Sequence, residues 1–141
     1  MKILILGAGQ VGSTLAKYLC SDDDNDITIV DQIADKLTPL QRYLDIKTVV
    51  GYGAYPSVLE KAGIKTMDMV IAVMGSDERN MVACRMAHTL YHVDKKIARI
   101  RTTEYLLRPE IFTNEALPID FLITPEILIT DYIKGIVEEP G

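Results

Sequence analysis

Short apolar runs alternate with amphipathic stretches along the chain. Residues 2–6 are almost entirely apolar, which is typical of a parallel strand that is covered on both faces. In residues 10–20 the apolar side chains recur at helical spacing, and the acidic stretch 21–26 that follows predicts a solvated turn. The chain therefore opens with a strand, a tight glycine-containing connection and a helix.

The same alternation continues to the end of the chain. We predict further strands over residues 27–30, 48–50, 69–74, 96–101 and 120–123, and helices over 34–44, 56–63, 76–91 and from about 124 to 137. Pro56 suits a first helical turn, and Ser76 followed by two acidic residues is typical of an N-cap. Strands that alternate with helices in this way predict an α/β fold, a doubly wound parallel sheet with helices on both faces and right-handed crossovers.

Composition narrows the classes of partner. A chain of 141 residues is the usual size of one domain with one core. Its formal net charge is −5 and its basic residues form no cluster, so we expect no nucleic acid partner. It has no signal-like start and no apolar stretch long enough to span a bilayer, so we expect no direct membrane insertion. The two cysteines, Cys20 and Cys84, lie in helical patterns and do not have the spacing of a disulfide framework or a zinc site, which favours a reducing, cytoplasmic compartment.

A glycine motif lies between the first strand and the first helix. Its spacing is Gly7-x-Gly9-x-x-Gly12, the fingerprint of Rossmann-type dinucleotide-binding folds. Gly7 permits the tight turn, Gly9 lets a pyrophosphate approach the backbone, and Gly12 lets the helix pack closely on the strand. The phosphates would face the N–H groups of Gln10 and Val11 at the start of the helix.

An acidic residue supports this interpretation. Asp31 ends the second strand nineteen residues after Gly12, where its carboxylate can accept hydrogen bonds from both ribose hydroxyls of an adenosine. The same carboxylate would repel a 2′-phosphate, which favours NAD over NADP. The alternative is that Asp31 only caps the following helix.

These residues resemble a known family along the whole chain, the regulator of potassium conductance domains, also called KTN. The glycine loop, Asp31, Gly51 and the segments 58–63, 76–80 and 97–101 occur in the order and spacing of the family. Tyr52 is a departure, because many members have an Asp there. The resemblance implies dinucleotide contacts from Gly7, Ala8, Gly9, Gln10, Val11, Gly12, Asp31, Met74, Gly75 and Arg99.

Simple physical arguments agree with the last three of these positions. Met74 and Gly75 follow the fourth strand, at the carboxyl edge of the sheet where ligands bind in such folds. Arg99 on the fifth strand would pair with a phosphate or close over the distal half of the dinucleotide. The alternative for Arg99 is a surface ion pair.

Two other constellations are unconvincing as sites. Cys84, His88 and His92 recur on one helix, but the outer two are roughly 12 Å apart along its axis, too far to share one metal ion. Tyr91-x-x-x-Lys95 has the spacing of a short-chain dehydrogenase pair, but it lies at the opposite edge from the nucleotide. We therefore expect no metal site and no catalytic residue.

The resemblance implies a regulatory function. We expect a non-enzymatic, NAD- or NADH-binding cytoplasmic subunit, peripheral on the inner face of the membrane, that acts as a conformational switch on a bacterial potassium uptake transporter. One alternative is an ATP- or ADP-sensing domain, since an adenosine with phosphates satisfies the same loop. Another is the nucleotide-binding part of a truncated NAD-dependent oxidoreductase. The feature that discriminates against it is that the sequence places no acid, base or nucleophile with its partner beside the expected nicotinamide position.

The last helix suggests self-association. We assign residues 1–124 to the nucleotide-binding domain and 125–141 to a C-terminal helix that forms a dimer contact or links to a downstream domain. This segment is apolar over a wide arc, with Ile127, Ile129, Tyr132, Ile133 and Ile136. We therefore predict a homodimer or larger assembly in which Ile133 lies in the contact. The alternative is that the stripe packs on its own sheet or on a downstream domain.

Overall fold

The structure is a computed structural model that describes residues 1–124 and 129–138. Within these residues the strands are β1 (Lys2–Leu6), β2 (Asp26–Asp31), β3 (Lys47–Val50), β4 (Met69–Ala72), β5 (Lys95–Arg99) and β6 (Phe121–Ile123). The helices are α1 (Gln10–Cys20), α2 (Ala34–Tyr43), α3 (Pro56–Lys61), α4 (Asp77–Thr89), α5 (Thr103–Leu106) and α6 (Ile129–Glu138).

The strands form one sheet in the order β3-β2-β1-β4-β5-β6, and every pairing is parallel. This is the strand order of the Rossmann fold. The chain leaves β1 toward β2 and β3 on one side, then returns to place β4 on the other side. The predicted doubly wound parallel sheet is therefore confirmed, and its topological switch point lies between β1 and β4.

Helices cover both faces of the sheet, as the alternating pattern requires. Successive residues of β1 point to opposite sides, so Ile3 and Ile5 belong to one core layer and Leu4 and Leu6 to the other. The first layer packs against α1, α2 and α6, and the second packs against α3 and α4. All four side chains are fully buried, so neither face of the central strand is available for a ligand, which leaves the edge formed by the strand ends.

The structure differs from the sequence-based expectation in short segments. We predicted that β4 extends to residue 74, but it ends at Ala72, because the backbone N–H of Met74 donates to the side chain of Asn80 instead. The turns Ile64–Thr66 and Pro109–Ile111 and the one-turn helix α5 were not predicted. Such single turns are held by local hydrogen bonds and have no apolar periodicity that a sequence pattern could reveal.

The last helix corrects one of our predictions. Ile133 is 0% and Ile136 5% exposed, and both belong to the core layer that contains α1 and the sheet. Ile129 and Tyr132 pack against the same layer from its edge. The prediction that Ile133 lies in a contact between two chains is therefore wrong, because its own domain buries it. Ile127 lies outside the described residues.

Candidate functional site

A cleft of about 360 Å³ opens at the carboxyl ends of the strands, over the switch point between β1 and β4. Its size falls at the lower end of the range for small-molecule sites. The lining residues are Gly7, Gly9, Val30, Asp31, Gln32, Ile33, Lys36, Gly51, Gly53, Val73, Met74, Gly75, Arg79 and Arg99. The cleft therefore brings together six of the ten predicted contact residues, from four different strand ends.

The glycine loop is shaped as the fingerprint predicts. Gly7 has a φ of +109°, and a Cβ there would lie 2.7 Å from the carbonyl oxygen of Val73. A Cβ on Gly12 would overlap the carbonyl oxygen of Gly7, so α1 packs on the turn with no room for a side chain. A Cβ on Gly9, in contrast, would meet no atom within 4 Å. The space beside Gly9 is thus open to the cleft.

The remaining loop residues support the site through their backbone. Gly9 is the N-cap residue of α1 and supplies no side chain for capping, so the first N–H groups of the helix are not capped in the usual way. Gln10 is exposed, while the half-buried side chain of Val11 packs against the core layer of α1. Gln10, Val11 and Gly12 therefore offer N–H groups and close packing rather than side chains lining the cleft.

Asp31 holds two backbone segments at the same time. Its Oδ2 accepts a hydrogen bond from the N–H of Ala8 at 2.8 Å, and its Oδ1 accepts one from the N–H of Ile33 at 2.8 Å. Each carboxylate oxygen has a second acceptor site that can receive a ribose hydroxyl. The carboxylate thus fixes the glycine loop and the turn after β2, a bracing contact that sequence spacing did not reveal.

Asn80 fastens the opposite wall of the cleft. This fully buried side chain accepts from the N–H of Met74 at 2.8 Å, and its amide donates to the carbonyl oxygens of Met74 at 3.3 Å and Arg99 at 2.9 Å. The ends of β4 and β5 and the first turn of α4 are therefore tied together. From the sequence, Asn80 was named only as part of the segment 76–80, and its amide was not predicted to connect two strand ends.

Arg99 lies in the cleft without an acidic partner among the described residues. Its Nη2 donates to the carbonyl oxygens of Val73 at 3.2 Å and Met74 at 3.0 Å, and its buried Nε has no hydrogen-bond partner in the part of the chain that is described. Burial lowers the pKa of this guanidinium, and the charge of Arg101 adds to the effect. The surface ion pair considered as an alternative does not form within the described residues.

The sequence did not reveal several lining residues, among them Lys36 and Arg79. Arg79 lies in the first turn of α4, and its Cζ is 5.1 Å from the centroid of the Tyr52 ring. That ring is stacked in turn on Tyr55, with 4.5 Å between centroids. Residues that follow a parallel strand or begin the next helix share the carboxyl edge, so the predicted topology alone could have identified both cations as candidates.

The two discounted constellations take part in other contacts. The hydroxyl of Tyr91 donates to Glu60 at 2.8 Å, and Nζ of Lys95 donates to the carbonyl oxygen of Ile136 at 3.4 Å. Burial raises the pKa of Cys84 to about 12, so the thiol stays protonated. Within residues 1–124 and 129–138, no three His, Cys, Asp or Glu side chains are grouped closely enough to hold a metal ion.

The cleft fits an adenine nucleotide in three independent respects. Open space beside Gly9 leaves room for a phosphate at the start of α1. The Asp31 carboxylate is fixed at a strand end, where it could accept hydrogen bonds from ribose hydroxyls. The Nε of Arg99 is a buried donor, without a partner among the described residues, that an anionic oxygen would satisfy.

Sequence comparison decides the family. Residues 3–125 match the TrkA-N domain. The chain belongs to the TrkA-N family. The resemblance noted from the sequence is therefore confirmed, and TrkA-N domains are nucleotide-binding domains.

Two relatives of this TrkA-N domain are named as potassium uptake proteins. The Trk system potassium uptake protein TrkA of Halomonas elongata is 55% identical over 141 residues, and that of Haemophilus influenzae is 51% identical over 142 residues. The matches cover the whole of this chain but only 31% of each relative. The chain thus corresponds to about a third of these longer proteins.

Solved structures share the fold at lower identity. The TrkA-N domain of the inner membrane protein ybaL from Escherichia coli superposes with a TM-score of 0.75 at 17% identity, covering 97% of this chain and 96% of that one. The GsuK channel bound to NAD gives 0.70 at 21% identity, covering 86% of this chain and 21% of that one. GsuK bound to ADP gives 0.70 at 21% identity, with 87% and 31% covered.

The length and apolarity of the described helices can be compared with those of a membrane-spanning helix. Among residues 1–124 and 129–138, no helix is both long enough and apolar enough to cross a bilayer.

Proposed function

We propose that this TrkA-N domain binds the adenosine half of NAD or NADH in the cleft over the switch point and acts as a regulatory, non-enzymatic nucleotide sensor. The observation that carries the proposal is the Asp31 carboxylate, which is hydrogen-bonded to the glycine loop at Ala8 and faces the same cleft as Gly9 and Arg99. A ribose-binding carboxylate, an open phosphate position and a cationic side chain at one sheet edge are the parts that such a nucleotide requires.

The adenosine half would rest on the β2 side of the cleft. Val30 and Ile33 supply apolar lining there, Met74 adds apolar lining from the end of β4, and Ile33 is 52% exposed although it is a large apolar residue. An adenine ring on this surface would cover apolar area that water now contacts. The ribose hydroxyls would donate to the free acceptor positions of Asp31.

The phosphates would lie between the start of α1 and the end of β5. Gly9 leaves the backbone accessible, and the first N–H groups of α1 favour a negative charge. Arg99 would add a charged hydrogen bond through its Nε, which has no partner among residues 1–124 and 129–138. Neither group performs chemistry on the ligand, which is consistent with a sensor.

The names of the relatives suggest what the sensor regulates. We propose that the domain belongs to a Trk-type potassium uptake system as a cytoplasmic subunit, held at the inner face of the membrane by its transporter partner, and that it works as a homodimer or larger assembly. Two relatives that are 55% and 51% identical over the length of this chain are named Trk system potassium uptake proteins, which supports this assignment. A nucleotide that binds one conformation of such an assembly better than another would shift its equilibrium.

A second candidate ligand class is ATP or ADP. GsuK, which shares the fold, has structures with NAD and with ADP, and both ligands contain an adenosine with phosphates. Calorimetric titration of this chain with NAD, NADH, ATP and ADP separates the two candidates. Tighter binding of either dinucleotide supports the proposal, whereas tighter binding of ATP or ADP assigns the cleft to the second class.

Replacing Asp31 with alanine is expected to lower the affinity for NAD and NADH by about 1.5 to 3 kcal/mol, the scale of hydrogen bonds to a charged group. Because Ala8 and Ile33 each lose an acceptor, stability should also fall by about 1 kcal/mol, without unfolding the domain. Calorimetry measures the first effect and a thermal melt the second. Asp35→Ala removes an exposed carboxylate of α2 as a control, and equal affinity in parent and Asp31→Ala would contradict a ribose contact.

Replacing Gly9 with valine is expected to weaken all adenine nucleotides alike, by at least about 2 kcal/mol, because the side chain fills the space required by a phosphate. The backbone tolerates the change, since Gly9 has a φ of −73° and open space around a Cβ. Calorimetry with NAD and ADP, beside a thermal melt within a few degrees of the parent, measures both effects. Undiminished binding of either nucleotide to a folded Gly9→Val chain would show that the phosphate lies elsewhere.

A further inference from the structure

Charge is distributed unevenly between the cleft and the rest of the molecule. The chain as a whole carries a formal net charge of −5. The cleft is lined by three cationic side chains, Lys36, Arg79 and Arg99, and one anionic side chain, Asp31. A cleft that is locally cationic in an acidic domain concentrates anionic ligands.

Arg79 lines this cleft without an acidic partner in the part of the chain that the structure describes. Among the described residues its guanidinium forms no ion pair and no hydrogen bond, and its defined contact is the face of the Tyr52 ring. The two carboxylates of the same helical turn are engaged elsewhere. Asp77 accepts from the N–H groups of Arg101 and Thr102, and Glu78 accepts from the hydroxyl of Tyr105 at 2.8 Å. Neither carboxylate therefore forms a direct contact with the guanidinium of Arg79 among the described residues.

The backbone that carries Arg79 is held firmly. The next residue, Asn80, is fully buried and hydrogen-bonds to Met74 and to the carbonyl oxygen of Arg99, and the N–H of Arg79 donates to Ser76 at 3.3 Å. The Tyr52 ring then limits the directions open to the guanidinium, since a cation on an aromatic face gains about 0.5 to 1 kcal/mol at an exposed site. Arg79 thus faces the cleft from a fixed helical turn, beside Met74 and Gly75.

We propose that Arg79 is a phosphate-binding residue that gives the cleft its preference for adenine nucleotides with more than one phosphate. The inference rests on the proposed nucleotide function and extends it to specificity. Nη2 of Arg99 donates to two carbonyl oxygens at the end of β4. The guanidinium of Arg79 donates to no described residue, so all of its N–H groups are available to a ligand. A first phosphate is received at the glycine loop and Arg99, and a second one is received by Arg79.

The test compares adenosine, AMP and ADP, which differ only in the number of phosphates, with the dinucleotide NAD. Adenosine, AMP, ADP and NAD are titrated by calorimetry into this chain and into Arg79→Gln, which removes the charge and keeps much of the side chain. We expect the affinity for ADP and NAD to fall roughly 5- to 30-fold, and that for adenosine to change less than about twofold. Arg42→Gln, which removes an exposed arginine of α2 outside the cleft, should leave all four affinities unchanged.

The aromatic contact gives a second, independent variant. Tyr52→Leu removes the ring that orients Arg79, so the affinity for ADP should fall, but by less than in Arg79→Gln. Tyr52→Phe keeps the ring face and should bind ADP as tightly as the parent. A thermal melt of each variant verifies folding.

Each outcome has a distinct meaning. An equal loss of affinity for adenosine and ADP in Arg79→Gln would overturn the proposal, because Arg79 would then contact the adenosine rather than a phosphate. An unchanged affinity for ADP would also overturn it, because Arg79 would then make no contact with the second phosphate. If the parent chain binds none of the four ligands while remaining folded, the proposed nucleotide function itself fails, and the inference fails with it.

Discussion

Replacing Gly12 with alanine is expected to destabilise the domain by about 3 kcal/mol or more, which is at the upper end of the cost of overpacking. A Cβ at this position would overlap the carbonyl oxygen of Gly7 and lie 2.9 Å from its carbonyl carbon. Both atoms are backbone, so no side chain can rotate to relieve the contact. Either α1 must move away from β1 or the turn at Gly7 must open.

Urea unfolding of Gly12→Ala and the parent measures this effect, and Gly9→Ala is the matched control. Both substitutions add one methyl group to the same loop, but the Cβ at Gly9 meets no atom within 4 Å. We expect Gly9→Ala to unfold within about 0.5 kcal/mol of the parent. A Gly12→Ala chain as stable as Gly9→Ala would show that α1 does not pack on the turn as described.

The fold was predictable because its signals are local and repeated. β1 reads as a buried strand because four consecutive residues, Ile3–Leu6, are apolar, and all four are fully buried. Each strand is followed by a helix, and parallel strands with right-handed crossovers leave few possible topologies. The sequence positions of Gly7 and Asp31 predict the carboxyl edge as the site, since both residues are required at fixed places in that topology.

The rest of the site depends on contacts between segments far apart in the chain. Asn80 bonds to Arg99, nineteen residues later, and Asp31 bonds to Ala8, twenty-three residues earlier. Side chains that bridge strand ends in this way leave no periodic signal. The topology could have identified Arg79 as a candidate at this edge, but not its contact with Tyr52, which arises only when α4 and the loop after β3 come together.

The last helix shows where pattern reasoning is ambiguous. A wide apolar arc on a helix is expected both for an interface and for a helix that fits into a groove between neighbours. In this domain α6 packs beside α1 on the sheet, so Ile133 and Ile136 are buried by the chain itself. Hydrophobicity at helical spacing establishes that a surface will be covered, but it does not establish which surface covers it.

Replacing Ile133 with aspartate is therefore expected to destabilise the folded domain by about 3 to 5 kcal/mol, rather than to separate two folded chains. The side chain is 0% exposed and lies in the core layer with Leu15, Leu19 and Ile3. The substitution removes a large apolar group from a packed layer and introduces a carboxylate without a partner. Because many domains are stable by only about 5 to 15 kcal/mol, a large share of the molecules should unfold at moderate temperature.

Thermal and urea unfolding, together with light scattering, distinguish the two possible roles of Ile133. Gly135→Asp adds the same carboxylate two residues later on the same helix, at an exposed position where a Cβ meets nothing within 4 Å, and should leave stability almost unchanged. Ile133→Ala should cost about 2 to 4 kcal/mol, since it creates a cavity without burying a charge. An Ile133→Asp chain that melts with the parent but changes from dimer to monomer would contradict the core position, because only a side chain at an interface can lose its partner without cost to the fold.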